Sequence, residues 1–216
     1  MKRELRTTTH IVIPDTQIRP GVPTDHLRWA GQYIVDEYAG RDNVRIIHLG
    51  DHADMPSLSI YDEGKMGMEG RRYMLDIEAA NQGFDLLNEA LIKYNKGRSK
   101  KWWPDRHILL GNHEDRINRA VESEAKLEHV ISTDDLNYAA HGWQVHPYRV
   151  PVFLDGVGYC HYFYNPMTGK PFGGLIDTRL KTIGHSFTMG HQQTLMYSLR
   201  FVAGKSQHGC VAGAFY

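Results

Sequence analysis

Cysteine is scarce: Cys160 and Cys210 are the only two in 216 residues. Two thiols are too few for the framework of a stapled secreted domain, so the expected compartment is a reducing cytoplasm. A surplus of either charge is absent as well, with 25 basic side chains against 25 acidic ones. Global charge therefore attracts no polyanion, and any affinity for nucleic acid has to come from a local patch. No stretch approaches the roughly 18 apolar residues of a membrane span. The opening "MKRELRTTTHIVIP" has basic residues but too short an apolar run before Pro14 for a signal peptide. Repeats, low-complexity tracts and Ser/Gly linkers are missing too, which leaves a single domain as the simplest organisation. What is present is an ordinary globular composition, 41% hydrophobic and 23% charged, with one departure: 13 histidines.

Three short apolar runs share one design. "HIVIPDTQ" (10–17), "VRIIHLGDH" (44–52) and "HILLGNHED" (107–115) each string together Ile, Val or Leu and then end in Pro or Gly followed by polar residues. Continuous rather than alternating apolar runs suit strands covered on both faces. Their polar groups all fall at the carboxyl end, where open α/β sheets bind ligands. Helical spacing lies between them. Leu27, Ala30, Ile34 and Tyr38 share one face, and Tyr73, Ile77, Ala80, Phe84, Leu87, Leu91 and Tyr94 alternate steps of four and three. A further helix is expected over 114–131. Beyond about residue 140 the chain turns aromatic and Val-rich: "WQVHPYRVPVFL", "VGYCHYFY", "SFTMGHQQ", "TLMYSLRFV" and "GCVAGAFY" read as strands of a second sheet, joined by turns at Asp155-Gly156, Asn165-Pro166 and Gly169. The fold class expected is α/β, two sheets with flanking helices. The last segment stops in mid-strand character, so either the chain is a piece cut short at its C-terminus or a final strand pairs through its last residues.

The polar strand ends are Asp15 and Gln17, Asp51 and Asp54, Asn112 and His113, His161, and His191 and Gln193. In one α/β domain they converge. Carboxylate, imidazole and amide oxygen together suit Zn, Mn, Fe or Mg rather than an all-sulfur site. Glycines before Asp51, Asn112 and His191 let the backbone turn sharply beside a ligand.

In that order, "PDTQ", "GDHAD", "GNHED", "YCHYF" and "GHQQ" resemble the five motifs of the calcineurin-like metallophosphoesterases, over residues 14–193. "GDxxD" and "GNHE" are specific as an ordered pair; the other three are weak alone. "VIPDTQ", "GDHADMPS" and "GNHEDR" look especially like phosphoesterases encoded by bacteriophages, which would place the protein in the host cytoplasm. The resemblance implies a four-layer α/β/β/α sandwich of two mixed sheets and one or two divalent ions, with Mn²⁺ first and Mg, Zn, Fe or Ni as alternatives. By the same resemblance Asp51 bridges two metals; one also takes Asn112, His161 and His191, and the other Asp15 with the positions held by Gln17 and Gln193. The family usually has histidine at those last two positions. An amide oxygen is the weaker, harder donor, so the Asp15 side is expected to bind its metal loosely.

Two ions about 3.5 to 4 Å apart lower the pKa of a bridging water toward neutrality. With two carboxylates and one hydroxide, they leave a single net positive charge that favours an anionic phosphate ester. His113 is the candidate acid for the leaving oxygen, and Asp54 the carboxylate that orients it. His52, lying between the two aspartates, is placed at the rim. With Arg71, Arg72 and Arg116 it completes the candidate substrate contacts. His185, in "IGHSF", is the rival of His191 for the last motif, while His10, His48 and His107 are read as structural. Cys160 is expected to face away from the metals if His161 faces them.

"KYNKGRSKKWWPDRH" (93–107) has two readings. Phosphates could track the lysines while bases stack on indole, or a solvated helix end precedes tryptophans that enter the core, which is the simpler account. The expected activity is hydrolysis of phosphate esters by a metal-bridged hydroxide, with phosphodiesters, nucleic acid included, ahead of monoesters in phosphoproteins or nucleotides. Met55 stands where the protein-phosphatase branch has a phosphate-binding arginine. A scaffold that has lost catalysis is the alternative suggested by the two glutamines, and the Asn112-His113 pair with Asp54 speaks against it. No membrane partner is implied.

Overall fold

The structure is a computed structural model that describes residues 7–216; residues 1–6, the basic start of the segment read as no signal peptide, lie outside the described residues. Four strands, β1 (Thr9–Ile13), β2 (Val44–His48), β3 (Asp105–Leu109) and β4 (Gln144–His146), lie side by side in chain order, all parallel. Helices α1 (Asp25–Tyr38), α2 (Tyr73–Asn95) and α3 (Asp115–Ser123) connect them. The unbroken apolar runs have a direct physical cause. Neighbours on a strand point to opposite faces, and here both faces are buried. Ile46 joins the core beneath α1 and α2 with Leu27, Ile34, Phe84 and Leu87, while Ile47 packs with Leu49, Leu109 and Tyr159 between the two sheets.

The second sheet has the order β5 (Val152–Leu154), β6 (Val157–Cys160), β7 (Phe187–Met189), β9 (Lys205–Ala212), β8 (Leu195–Val202). β6, β7 and β9 run parallel, and two antiparallel hairpins flank them. Asp155-Gly156 turns β5 into β6 with φ of 48° and 86°, the double left-handed geometry of a tight hairpin. A fourth helix, α4 (Ile176–Ile183), covers the outer face, where Leu180 packs with Phe187, Met189 and Val211. The four-layer α/β/β/α sandwich is therefore present; only its second sheet is mixed, the first being parallel throughout.

Two local expectations change, one helix is added and the chain end is found paired. "QVH" of the segment assigned to the second sheet is β4, which adds to the first sheet beside β3. The helix expected over 114–131 ends at Ser123 and gives way to a short 3-10 turn over Ala125–Leu127; Ile117 is its one buried side chain, too little apolar contact to carry it further. Helix α4 was not foreseen, because "LIDTRLKTIG" offers only two full turns of weak periodicity. At the chain end, Ala214 bridges to Asp15 and the Phe215 N–H donates to the Asp15 carbonyl at 2.8 Å, so the final residues are paired. No helix among the described residues is long and apolar enough to cross a membrane.

Candidate metal centre

The candidate residues sit in the turns that follow the strands. Asp15 follows β1, Asp51 and Asp54 follow β2, Asn112 and His113 follow β3, His161 follows β6 and His191 follows β7. Two glycines show why the turns can meet. A Cβ on Gly111 would lie 2.1 Å from Asp51 Oδ1, and one on Gly190 would lie 2.4 Å from Asp15 Oδ1. Both positions are empty of side chain so that a carboxylate can pack against backbone. Asp51 and His191 themselves adopt left-handed backbone, with φ of 49° and 68°, conformations that cost free energy and that gather at functional sites. Gly111→Ala is expected to displace the Asp51 carboxylate and weaken Mn²⁺ binding by roughly 10- to 100-fold, the range for groups that position a ligand, as read by calorimetric titration.

Asp51, His161 and His191 bring one ligand atom each within 4.8 Å of one another, and this buried group can hold a metal ion. His161 is aimed by its other nitrogen, since Nδ1–H donates to the Leu49 carbonyl at 2.8 Å. That leaves Nε2 facing the Asn112 Oδ1 at 2.9 Å and the Asp51 Oδ2 at 3.3 Å, the arrangement in which a backbone carbonyl orients a ligating imidazole. Asp15 is fully buried beside the group. Its Oδ1 accepts the His191 N–H at 3.1 Å, and its Oδ2 has no hydrogen-bond partner among the described residues. An orphaned buried carboxylate oxygen next to a carboxylate–imidazole cluster is what a divalent cation satisfies.

Charge state follows from the same geometry. Burial disfavours the His161 cation, but the Asp51 and Asp15 carboxylates outweigh it and raise its pKa to about 9. Burial also opposes ionisation of Asp51, yet His161 and His113 hold its carboxyl well below the usual range. Burial and the Asp51 charge push Asp15 up to about 6 despite His161, and burial with the His161 charge lowers His191 to about 4. A cation binding here has to displace the proton on His161 Nε2. Mn²⁺ affinity is therefore expected to rise about tenfold per pH unit between pH 6 and 9, with proton release read by titrating in buffers of different ionisation enthalpy. Affinity that stays flat over this interval would contradict the assignment.

Beside the cluster stands the His113–Asp54 pair. His113 Nδ1–H donates to Asp54 Oδ1 at 2.8 Å, and Nε2 lies 3.7 Å from Asp51 Oδ2. Burial lowers the His113 pKa, but the Asp54 hydrogen bond and the Asp51 charge raise it overall, against a smaller opposing effect of Arg116. Arg116 donates to the Asp54 and Met55 carbonyls and brings Nη2 to 3.3 Å from His113 Nε2.

Other candidates are placed elsewhere. His52 is not at the rim. It is fully buried, stacked on Phe84 at 3.7 Å, and its Nε2–H donates to the Ala80 carbonyl. Its Nδ1 meets the Thr16 hydroxyl, which also meets His48. Burial lowers the His52 pKa to about 3 and holds His48 well below its usual value, so both are neutral core polar groups. Arg71 is a strut, donating to the Pro56 carbonyl and to Asp62 Oδ2, and Arg72 donates to the Arg71 carbonyl; neither reaches the cluster through these bonds. Gln17 is half-buried and its N–H donates to the Asp51 carbonyl, which holds it beside the cluster. Gln193 is exposed, and its Oε1 accepts the Tyr216 hydroxyl at 2.7 Å, engaged at the rim rather than in the cluster. His185 packs on Phe153 and Phe163, away from the group that contains His191. Cys160 is buried in the core beneath α4, on the side away from the cluster.

Glu114 is the residue that sequence reasoning passed over. It is fully buried. Oε2 accepts the Gly111 and Asp51 N–H groups, and Oε1 accepts those of His52 and Ala53 together with the Tyr138 hydroxyl. One carboxylate thus clamps the β2 and β3 turns together and sets the position of Asp51. The signal was in "GNHED", where an acid stands three residues after a strand-end glycine, the reach needed to return to that glycine's N–H.

The chain matches no protein-family model and no curated protein, so its function has to be read from this geometry and these motifs.

Proposed function

We propose that the protein is a metal-dependent phosphoesterase of the calcineurin-like kind, acting on phosphodiesters. The observation that carries this reading is the adjacency of two arrangements: a buried Asp51–His161–His191 group and, 3.7 Å from Asp51, a histidine held by its own aspartate. A metal scaffold has no use for the second. A divalent ion, when bound, supplies Lewis acidity toward a phosphoryl oxygen and an activated water, and Asp51, His161 and His191 with the Asn112 amide oxygen are the residues to hold it. Asp15, whose Oδ2 has no hydrogen-bond partner among the described residues, is the donor for a second ion, and Mn²⁺ is the ion proposed for this mixed oxygen and nitrogen set.

The chain's own groups do the rest. Asp54 fixes the His113 ring through Nδ1 and favours its protonated form, so that Nε2 can give a proton to the departing ester oxygen. Arg116, whose guanidinium borders His113, is the cation placed for a phosphate oxygen. Arg71, Arg72 and His52 have no part in it. The single positive charge of the loaded site matches the single negative charge of a diester, which it would neutralise. The protein-phosphatase version loses support because Met55 is fully buried and cannot stand in for a phosphate-binding arginine.

Hydrolysis of bis-p-nitrophenyl phosphate against p-nitrophenyl phosphate, both with Mn²⁺, tests the reading. The diester is expected to turn over faster, and His113→Ala to lower that rate by roughly 10² to 10⁴. Preference for the monoester would make the protein a phosphomonoesterase. Turnover of neither ester with metal bound would leave the scaffold.

A further inference from the structure

The tryptophan pair at the opposite end of the first sheet splits between core and surface. Trp102 is buried, its backbone clamped by Asn95 through two hydrogen bonds and its indole N–H donating to the Arg41 carbonyl at 2.8 Å. With that residue pinned inward, the next side chain is turned out, and Trp103 is 48% exposed. Core packing explains the first indole but not the outward turn of the second.

Trp103 borders two clefts of about 780 and 710 Å³. The second is lined by Arg41, Arg98, Lys100, Lys101 and Arg106, against the two carboxylates Asp42 and Asp105, and Asp105 is already paired with Arg45. In a chain of zero net charge this is a local cationic surface. Arg106 is built into its wall: the residue is only 9% exposed, one guanidinium nitrogen donates to Asn88 Oδ1, and Nε has no hydrogen-bond partner among the described residues. Its guanidinium carbon lies 5.2 Å from the Trp103 ring. Gly142 makes room for it, because a Cβ there would stand 2.1 Å from the Arg106 side chain.

We propose that this face is a second binding site, for single-stranded nucleic acid, in which a base stacks on Trp103 while Arg41, Arg98, Lys100 and Lys101 take the phosphates. An exposed indole among cations provides the two contacts a single strand needs, a stacking platform and a path for phosphates. Duplex DNA has no splayed base to offer it, and an apolar peptide gains nothing from the cations. The site lies at the amino ends of β2 and β3 and the metal centre beyond their carboxyl ends, so the two are separated by more than the length of those strands, roughly 15 Å at about 3.3 Å per residue. A strand bound here would be tethered at a distance from the metal centre.

Binding is tested without the metal chemistry, by fluorescence anisotropy of a labelled ten-nucleotide oligo(dT) with the full chain in EDTA, so failure of hydrolysis would not bear on it. Saturable binding is expected, falling with salt with a log-log slope of about −0.7 per phosphate engaged. Trp103→Ala is expected to weaken it at least about fivefold, and Lys100→Glu to flatten the salt slope, with circular dichroism unchanged for both. Absence of binding up to about 100 μM, the weak end of ordinary non-specific affinities, would overturn the proposal. So would binding that neither variant alters, or equal competition by inorganic polyphosphate with Trp103→Ala silent, which would mark a simple polyanion patch.

Discussion

Asp51→Ala is expected to remove detectable Mn²⁺ binding in a calorimetric titration, while His113→Ala leaves the heat and stoichiometry of binding in place. The contrast follows from where each side chain points. Asp51 offers Oδ2 to the same point as His161 Nε2 and is the one carboxylate in the three-residue group. Loss of groups that merely orient a ligand typically costs 10- to 100-fold in affinity, so loss of the ligand itself is expected to exceed about 100-fold. His113 spends Nδ1 on Asp54 and belongs to no part of the ligand group. Asp51→Asn serves as the folded control, because its amide oxygen can still accept the His113 N–H that Asp51 Oδ1 accepts at 2.9 Å. If Asp51→Asn binds Mn²⁺ as tightly as the parent chain, or His113→Ala abolishes binding, the division into metal-holding and proton-handling residues is wrong.

Glu114→Ala should be the most destabilising single change near the site. It strands four backbone N–H groups and the Tyr138 hydroxyl in the interior. Each buried donor left without an acceptor costs about 1 to 3 kcal/mol, against a typical total stability of about 5 to 15 kcal/mol. Even with water entering to satisfy some of them, a loss above about 4 kcal/mol is expected in urea unfolding. Glu114→Gln should fall between the two, since its NH₂ group would face two of the donors it replaces an acceptor for. A Glu114→Ala protein within about 1 kcal/mol of the parent would show that the clamp is not what joins the β2 and β3 turns.

Much of this site was legible because strand ends announce themselves. An apolar run closed by glycine and then Asp, Asn or His states that a buried strand stops and polar groups begin, and in a parallel sheet all such ends lie at one edge. Asp15, Asp51, Asp54, Asn112 and His113 were readable in that way, and the choice of His191 over His185 followed from its place between two apolar runs. His52 was misread for an equally physical reason. Strand alternation gives the direction of a side chain only while the strand lasts, and β2 ends at His48; past it the left-handed turn at Asp51 sends His52 beneath α2 against Phe84. Arg71 was legible as a cation but not as a strut, because its partners Pro56 and Asp62 lie in the segment between β2 and α2, whose approach no periodicity records.

By itself the sequence determined the layering: runs apolar on every residue demand cover on both faces, helical spacing between them supplies one cover, and the β-rich second half supplies the other. It determined, too, which chemical groups end the strands. Only the tertiary structure decided how those groups are divided, because contacts such as Glu114 with Asp51 or His161 with Leu49 join residues 63 and 112 positions apart. Distance in space across a packed interior has no signature in local spacing, so the clamp, the buried fate of His52 and the outward turn of Trp103 emerge only when the sheets are assembled.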